Sequence, residues 1–351
     1  MKCNHLCNLI ILLLISILCS CSLNNKVINN RNSVYLLTYF KEDTHSIYFA
    51  VSSDGYTFID INNGNPAIKG DTLALQKGVR DPHLLKGPDG AFYLSMTDLH
   101  INPIRHGYRD TRWERDEKVY GWGNNRSLVL MKSYDLINWD RTIIRFDKIF
   151  DGYDDLGCVW APQTIYDENE KKMMLYFTMR MKNERERIYY SYVNWDYNQI
   201  LTKPKKIFDY PKSNIAVIDG DLHKKDDTYH MFYVSHDGAG IKQMKSKTLT
   251  DDYIYDDKWY DSEEKGCEGP NIWKRIDEDK WVLMYDIYGM KPNNFGFRET
   301  SDFINFTDLG RFNEGVMKAV NFSQPKHGSV THISLNQAKK LINHFGNNVR
   351  L

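Results

Sequence analysis

Asp81-Pro82-His83-Leu84-Leu85 leads into the turn Gly87-Pro88-Asp89-Gly90, and that turn leads into an apolar strand at residues 91–96. An Asp-Gly pair in such a turn favours a tight β-hairpin. Outward from this stretch, the same order of strand, polar turn and strand begins again at Trp160-Ala161-Pro162, Val217-Ile218-Asp219 and Cys267-Glu268-Gly269-Pro270. A short β unit that recurs along a chain indicates a repeat architecture.

The third strands of these units share an ending, in which Ser-x-Asp or Ser-Asp is followed by an aromatic residue. It occurs within residues 51–58, 131–139 and 298–306. Together with strands from Val34 and a closing strand at residues 326–333, the units number about five. Antiparallel sheets repeated around an axis avoid exposed strand edges. We therefore predict an all-β, single-domain, five-bladed β-propeller, with a short C-terminal helix at residues 334–345 capped by Ser334.

The first 33 residues differ from the rest of the chain. Lys2 precedes an apolar run at residues 9–18, which is short for a membrane span and ends in Leu18-Cys19-Ser20-Cys21. We predict a lipoprotein signal peptide at residues 1–21, a flexible tether at residues 22–33, and a catalytic propeller at residues 34–351. Cys21 would carry the lipid and anchor a secreted protein to a bacterial outer membrane or its periplasmic face. A plain signal peptide is the alternative.

Composition narrows the class of partner. Of 351 residues, 46 are Lys or Arg and 46 are Asp or Glu, so the chain has no basic excess of the kind that binds nucleic acid. Aromatic residues reach 13%, which suits a propeller core or a sugar-stacking cleft. Cys158 and Cys267 are the cysteines of the body, and we expect them to pack in the interior, with a single disulfide between them as the alternative.

Three acidic residues stand at the start of candidate innermost strands: Asp81 in Arg-Asp-Pro, Asp219 in Val-Ile-Asp-Gly, and Glu268 in Cys-Glu-Gly-Pro. Innermost strands converge on the propeller axis, so equivalent positions would face one central funnel. Apolar neighbours suggest burial, which raises a carboxyl pKa, as does a nearby carboxylate. Paired carboxyls of this kind are what glycoside hydrolysis needs. The alternative is that each residue merely caps a strand or turn.

The ordered set Arg-Asp-Pro, Trp-Ala-Pro, Ile-Asp-Gly, Glu-Gly-Pro and Lys-His-Gly resembles glycoside hydrolase family 43 from Val34 to about Ile333. The resemblance implies an inverting mechanism with Asp81 as general base, Asp219 as pKa modulator and Glu268 as general acid. It also implies that His327 lies near the axis, where calcium could be bound mostly through water, although no cofactor is required. The alternative role of His327 is a hydrogen bond in the axial channel.

Further substrate contacts are predicted with less support from motifs. Trp160 could form an apolar wall, and Arg298 could reach a substrate hydroxyl or carboxylate; core packing and a surface ion pair are the alternatives. Gln163 replaces the acidic residue that many family members carry after Trp-Ala-Pro, yet it can still hydrogen-bond a sugar. An insertion at residues 97–126, which contains Trp122, could contribute stacking, or be a solvated excursion or dimer contact.

These features favour an exo-acting α-L-arabinofuranosidase that acts on plant polysaccharide side chains. No β-sandwich follows the propeller, which weighs against a β-xylosidase, although that activity or another exo-glycosidase of the family remains the nearest alternative. The related invertase-containing family would need an Asn-Asp-Pro nucleophile, and residues 39–54 have none. A non-catalytic glycan-binding propeller is the alternative from a different class.

Overall fold

The computed structural model describes residues 32–264, 266–346, 349 and 351. The predicted signal peptide, Cys21 and nearly all of the predicted tether lie outside the described residues. The first strand begins at Ser33, one residue before the predicted start of the propeller.

The described residues form five sheets, antiparallel except for one short parallel strand pair in the first, so the predicted five-bladed propeller is confirmed. Blade 1 contains β1 Ser33–Lys41, β2 Ser46–Ser52 and β3 Thr57–Asp60. Blade 2 contains β4 Val79–Lys86, β5 Phe92–Asp98, β6 Ser127–Ser133 and β7 Asp140–Arg145. Blade 3 contains β8 Leu156–Asp167, β9 Lys172–Met181, β10 Arg187–Val193 and β11 Lys205–Lys206. Blade 4 contains β12 Val217–Lys225, β13 Thr228–Ser235, β14 Gly240–Ser246 and β15 Ile254–Asp256. Blade 5 contains β16 Cys267–Lys274, β17 Trp281–Ile287, β18 Asn294–Thr300 and β19 Thr307–Arg311.

The C-terminal segment closes the ring by completing blade 1. The short strand β20 Lys318–Ala319 pairs in parallel with β3, and β21 Lys326–Ser334 pairs antiparallel with β1. The strands β21, β4, β8, β12 and β16 contact one another in a closed ring around the axis. Because the last innermost strand belongs to the first blade, strands from both ends of the chain hold the propeller shut.

Apolar side chains fill the space between neighbouring blades. Five hydrophobic clusters lie at the five blade boundaries, and each draws its buried residues mainly from two adjacent blades. Cys158 and Cys267 are both buried and both free thiols, as expected for packing residues. Burial of this apolar surface is the main force that holds the blades together.

Short helices occupy a few connections. They are α1 Gly70–Leu73, α2 Glu117–Tyr120, α3 Phe146–Ile149 and the predicted C-terminal helix α4 Leu335–His344. Ser334 caps α4 as predicted, because its hydroxyl accepts from the Gln337 amide while the Gln337 side chain accepts from the Ser334 amide. None of the helices in the described part of the chain is both long and apolar enough to cross a membrane.

Every innermost strand contains a β-bulge at the same level, and β8 has a second register shift earlier, between Leu156 and Cys158. The pairing register shifts by one residue after Arg80, Trp160, Ile218, Glu268 and Lys326. The next residue in each strand has a positive φ: 53° at Asp81, 44° at Ala161, 52° at Asp219, 56° at Gly269 and 25° at His327. A bulge re-aims the side chains around it, and bulges are frequent beside active sites.

A ring of buried polar side chains ties the innermost strands together just past these bulges. His83, Asp221, Asn271 and Ser329 each accept a hydrogen bond from the main-chain amide of the next innermost strand around the axis. Between blades 3 and 4, Tyr176 donates to Gln163 and accepts from the Leu222 amide. This ring fixes the relative heights of the five strands and therefore the positions of the bulges.

Candidate active site

The bulges bring together residues from three blades and the closing strand at one end of the axis. Asp81 and Asp219 occupy equivalent bulge positions, as the sequence predicted. Glu268 does not, because the equivalent position in blade 5 is Gly269 and Glu268 lies one residue earlier. The expectation that all three carboxylates are in register is therefore wrong. His327 holds the equivalent position in the closing strand.

The residues that immediately precede the bulges form a second set with a shared direction. All five line one cavity of about 540 Å³: Arg80, Trp160, Ile218, Glu268 and Lys326. Since side chains alternate along a strand, a one-residue offset moves Glu268 from the bulge set into this cavity-lining set. The offset places Glu268 in the cavity wall beside the bulge carboxylates.

Asp81 is held as a carboxylate. Its Oδ1 lies 3.2 Å from Nδ1 of His327, and its Oδ2 accepts a hydrogen bond of 2.7 Å from the Thr97 hydroxyl. Burial by itself would raise the pKa of Asp81, but the charge and hydrogen bond of His327, the charge of Arg80 and the Thr97 hydrogen bond hold that pKa well below its usual range. An ionised carboxylate at neutral pH is the state that a general base requires.

Asp219 has the opposite electrostatic character. Burial raises its pKa to about 7; His327 opposes this shift, and the charges of Glu268 and Asp81 add to it. Its Oδ2 accepts from the Gly269 amide at 3.2 Å and lies 3.9 Å from His327 Nδ1. A carboxyl that titrates near neutral pH and interacts with two other carboxyls can change the electrostatic field that both of them experience.

His327 is the cation that links Asp81 and Asp219. Burial lowers its pKa, but Asp81 above all, then Asp219 and Glu268, raise it to about 9. Gly269 makes room for the ring, because a Cβ at that position would lie 2.6 Å from the imidazole. His327 therefore pairs with carboxylates in the axial channel, in agreement with the hydrogen-bonding alternative.

The residues around His327 do not fit a directly bound metal. The described residues contain no group of three or more His, Cys, Asp or Glu side chains arranged to hold one. An imidazolium has no lone pair free for a metal and repels a cation. Calcium held through water stays a prediction, and the reaction proposed for Asp81 and Glu268 uses no metal.

Two charged residues near Glu268, Lys326 and Asp286, were not predicted from the sequence as functional residues. Lys326 Nζ lies 3.2 Å from Glu268 Oε1 and 3.4 Å from Asp286 Oδ2. Lys326 was visible only as the first residue of Lys-His-Gly. Asp286 interrupts the otherwise apolar strand β17, and a carboxylate in such a strand was the one signal that could have revealed it.

Aromatic and charged side chains wall the cavity. Trp160 lines it as predicted, and its indole nitrogen donates to the Gly123 carbonyl at 2.9 Å. Trp122 also lines it and contacts Trp160 edge to face at 5.7 Å between ring centroids. Residues 97–126 thus supply part of the wall, since Ile101 lines the cavity as well. Arg180 lies over the Trp160 ring and pairs with Glu186.

Two predicted substrate contacts are placed elsewhere. Gln163 is buried in the polar ring below the bulges, where its Oε1 accepts from the Tyr176 hydroxyl. Arg298 lies on β18, the third strand of blade 5, and donates to the main-chain carbonyls of Tyr260 and Phe306. Neither residue lines the cavity that contains Glu268. Their side chains are used to hold the fold.

Taken as chemistry, the site offers an ionised carboxylate, a carboxyl that titrates near neutrality, and a third carboxyl with a lysine, all beside a cavity with indole walls. Such a set can activate water on one side of a bound sugar and protonate a leaving oxygen on the other.

Comparison with known proteins shows the family to which the chain belongs. The family model described as "Probable glycosyl hydrolase domain", related to glycoside hydrolase family 43, matches residues 31–339. An α-L-arabinofuranosidase of Bifidobacterium longum subsp. longum is 28% identical over 131 residues, which cover 37% of this chain and 11% of that protein. The chain therefore spans about a tenth of the curated relative that it matches.

Solved structures share the fold at low identity. An endo-1,4-β-xylanase from Bacteroides thetaiotaomicron superposes with a TM-score of 0.57 at 12% identity, over 83% of this chain and 94% of that one. An α-L-arabinanase from Cellvibrio cellulosa superposes with a TM-score of 0.52 at 12% identity, over 83% and 96%. With its family match across nearly the whole propeller, this chain belongs to the glycosyl hydrolases related to family 43.

Proposed function

We propose that this glycosyl hydrolase is an inverting, exo-acting α-L-arabinofuranosidase that removes arabinose side chains from plant polysaccharides. The observation that carries the proposal is the pairing of an ionised Asp81 with His327, whose chain neighbours Arg80 and Lys326 line the same cavity as Glu268. The arabinofuranosidase match over 131 residues supports the choice of sugar. A cavity of about 540 Å³ suits one or two sugar units at a chain end.

In the proposed reaction, Asp81 accepts a proton from a water molecule as the water oxygen bonds to the anomeric carbon. The bond from that carbon to the glycosidic oxygen breaks, and Glu268 gives its proton to the departing oxygen. Lys326 then stabilises the carboxylate left on Glu268. Inversion requires the two carboxyls to stand roughly 6.5 to 9.5 Å apart, which leaves room for the water.

Trp160 and Trp122 would hold the sugar by apolar contact with its ring faces, while Asp219 would modulate the acid. Because the pKa of Asp219 is raised to about 7, its carboxylate can take up a proton from solvent as Glu268 gives its own proton away. That exchange would keep the net charge of the site nearly constant during turnover.

The test is hydrolysis of aryl α-L-arabinofuranosides, β-D-xylosides and β-D-galactosides by wild type, by Glu268→Gln and by Glu170→Gln, an exposed control. We expect arabinofuranoside cleavage with inversion, seen as the anomer first formed in ¹H NMR. Glu268→Gln should lose roughly 10²- to 10⁴-fold with poor leaving groups and far less with dinitrophenol. Faster cleavage of the β-D-xyloside than of the arabinofuranoside would contradict the proposed sugar specificity and support a β-xylosidase.

We further propose that the chain is exported and anchored through a lipid on Cys21. Expression of wild type and Cys21→Ser in a Gram-negative host, with fractionation and mass measurement of the mature N-terminus, tests this. Wild type should carry diacylglycerol and sediment with membranes, whereas Cys21→Ser should not. An unmodified, freely secreted wild type would support the plain signal peptide.

A further inference from the structure

Asp286 is a buried carboxylate that the proposed reaction does not use. It lies on β17, directly opposite Glu268 in the strand pairing, and its side chain is fully buried. One of its oxygens, Oδ1, has no hydrogen-bond partner among the described residues. Burying a carboxylate lowers the stability of the fold unless a nearby positive charge or hydrogen bonds compensate its charge.

The other blades show that the structural task at this position needs no charge. The residues opposite Arg80 and Trp160 are Thr97 and Thr178. Thr97 accepts from the Ala161 amide at 2.8 Å and Thr178 from the Asp219 amide at 2.9 Å, each in the next blade. Asp286 does the same for the His327 amide at 3.3 Å. In two blades a threonine hydroxyl accepts this hydrogen bond, so the fold does not require a charged carboxylate at the position of Asp286.

The group that uses the charge of Asp286 is Lys326. Its ammonium lies between two carboxylates, 3.4 Å from Asp286 and 3.2 Å from Glu268, with Glu42 further out at 4.0 Å. Burial lowers the pKa of Lys326, but Asp286 first and Glu268 second raise it well above its usual range. Lys326 therefore remains charged, and Asp286 is the neighbour that contributes most to keeping it so.

An uncompensated ammonium beside Glu268 would favour the carboxylate form and remove the proton that a general acid must give away. We propose that Asp286 acts on the reaction through Lys326, as a positioning residue that holds the ammonium in place beside Glu268 and offsets its charge. This inference rests on the proposed role of Glu268 as the acid.

Other charged and titratable groups surround the trio and stay unchanged when Asp286 is altered. Arg80 on β4 repels Lys326, and Glu42 attracts it from the β1–β2 connection. His327 and Asp219 interact with Glu268 from the closing strand and blade 4. The Tyr288 hydroxyl, which follows β17, interacts electrostatically with Glu268 and Lys326. Burial raises the pKa of Asp286 to about 7, while Lys326 opposes this rise and Glu268 adds to it.

The experiment compares wild type with Asp286→Asn, which keeps the shape and an oxygen for the His327 amide but removes the charge. We expect kcat at pH 7 to fall at least tenfold for poor leaving groups with little change in KM. The pH above which activity is lost should move down by about one unit. The double variant Asp286→Asn/Lys326→Met should recover a wild-type profile, because both charges are gone. Asp221→Asn, which alters another fully buried carboxylate, should leave the pH profile in place.

Titration of the Glu268 carboxyl by ¹³C NMR in wild type and Asp286→Asn gives a readout independent of turnover. A midpoint that falls in Asp286→Asn supports the inference even if no tested glycoside is cleaved, an outcome that would count against the proposed function alone. If Asp286→Asn folds poorly, Lys326→Met alone should move the alkaline limit upward. An unmoved Glu268 midpoint, or equal rate losses for all leaving groups, would overturn the inference.

Discussion

His327 Nδ1 and Asp81 Oδ1 lie 3.2 Å apart, and this ion pair joins the first repeated strand of the sequence to the strand that closes the ring. The contact exists only when β21 has completed blade 1. Formation of the ion pair that keeps the proposed general base Asp81 ionised and closure of the propeller are therefore one structural event. Its electrostatic consequences can be measured in both stability and activity.

The first prediction concerns stability as a function of pH. The pKa of His327 rises from an ordinary 6.5 to about 9 on folding, so the folded state binds the proton more tightly than the unfolded state does. The resulting stabilisation is fully present below about pH 6.5 and is lost as the pH rises through about 9. The contribution of His327 to the free energy of unfolding of wild type should fall by about 3 kcal/mol across this window.

Urea unfolding of wild type and His327→Gln at pH 6 to 10 measures this slope. The variant should be less stable at pH 6, and between pH 6 and 9 its free energy of unfolding should fall less steeply than that of wild type. His332→Gln serves as a control, because the pKa of His332 is lowered and that residue does not charge in this window. A wild-type slope that survives in His327→Gln would contradict the assignment.

The second prediction concerns the acid limit of activity. Burial raises the pKa of Asp81, and His327 is the largest of the influences that reverse this. Wild type should therefore keep its base ionised as the pH falls from 7 to 4. In His327→Gln the Asp81 pKa rises, so half-maximal kcat should occur at least about one pH unit higher than in wild type. Circular dichroism at each pH separates this effect from acid unfolding.

The third prediction uses Gly269, which leaves room for the His327 ring. A Cβ there would lie 2.6 Å from the imidazole, and the residue has φ of 56°. Gly269→Ala should destabilise the protein by more than about 1 kcal/mol and reduce kcat, because His327 must shift away from Asp81. Gly90→Ala is a matched control, since Gly90 also has a positive φ but nothing within 4 Å of its would-be Cβ. Equal stability losses and unchanged kcat in both variants would argue against a special role for Gly269.

The fourth prediction concerns the indole wall of the cavity. Trp122 is 44% exposed at the rim, where it contacts Trp160. Trp122→Ala should raise KM by roughly fivefold to tenfold with a smaller effect on kcat, because it removes contact with bound sugar rather than a reacting group. Trp259→Ala, at an equally exposed site that does not line this cavity, should leave both constants unchanged. Steady-state measurement of kcat and KM for both variants on one aryl arabinofuranoside tests this prediction. Equal effects in the two variants would contradict a role of Trp122 in sugar binding.

The sequence alone determined the architecture, because the repeated strand and turn units are local. Hairpin chemistry at residues 87–90 and the recurring third-strand ending depend on neighbours in the chain, and five units of this kind close into a ring. The motifs also located Asp81 and Asp219, since each stands at a bulge before Pro or Gly. The sequence also predicted Trp160 and Trp122 near the site and Ser334 as a helix cap, and the structure places both indoles at the cavity and Ser334 at the start of α4.

The tertiary structure decided which side chains reach the cavity. Alternation along a strand has a period of two, so the one-residue offset of Glu268 from the bulge reverses its direction, and only the pairing register reveals it. Gln163 lies past the bulge of β8, and Arg298 lies on the third strand of blade 5, so both bond within the fold, whereas Lys326 contacts Glu268. Asp286 carries no motif at all. Its role depends on charges from strands that meet only around the closed axis, because electrostatic interactions follow distance in space and not order in the chain.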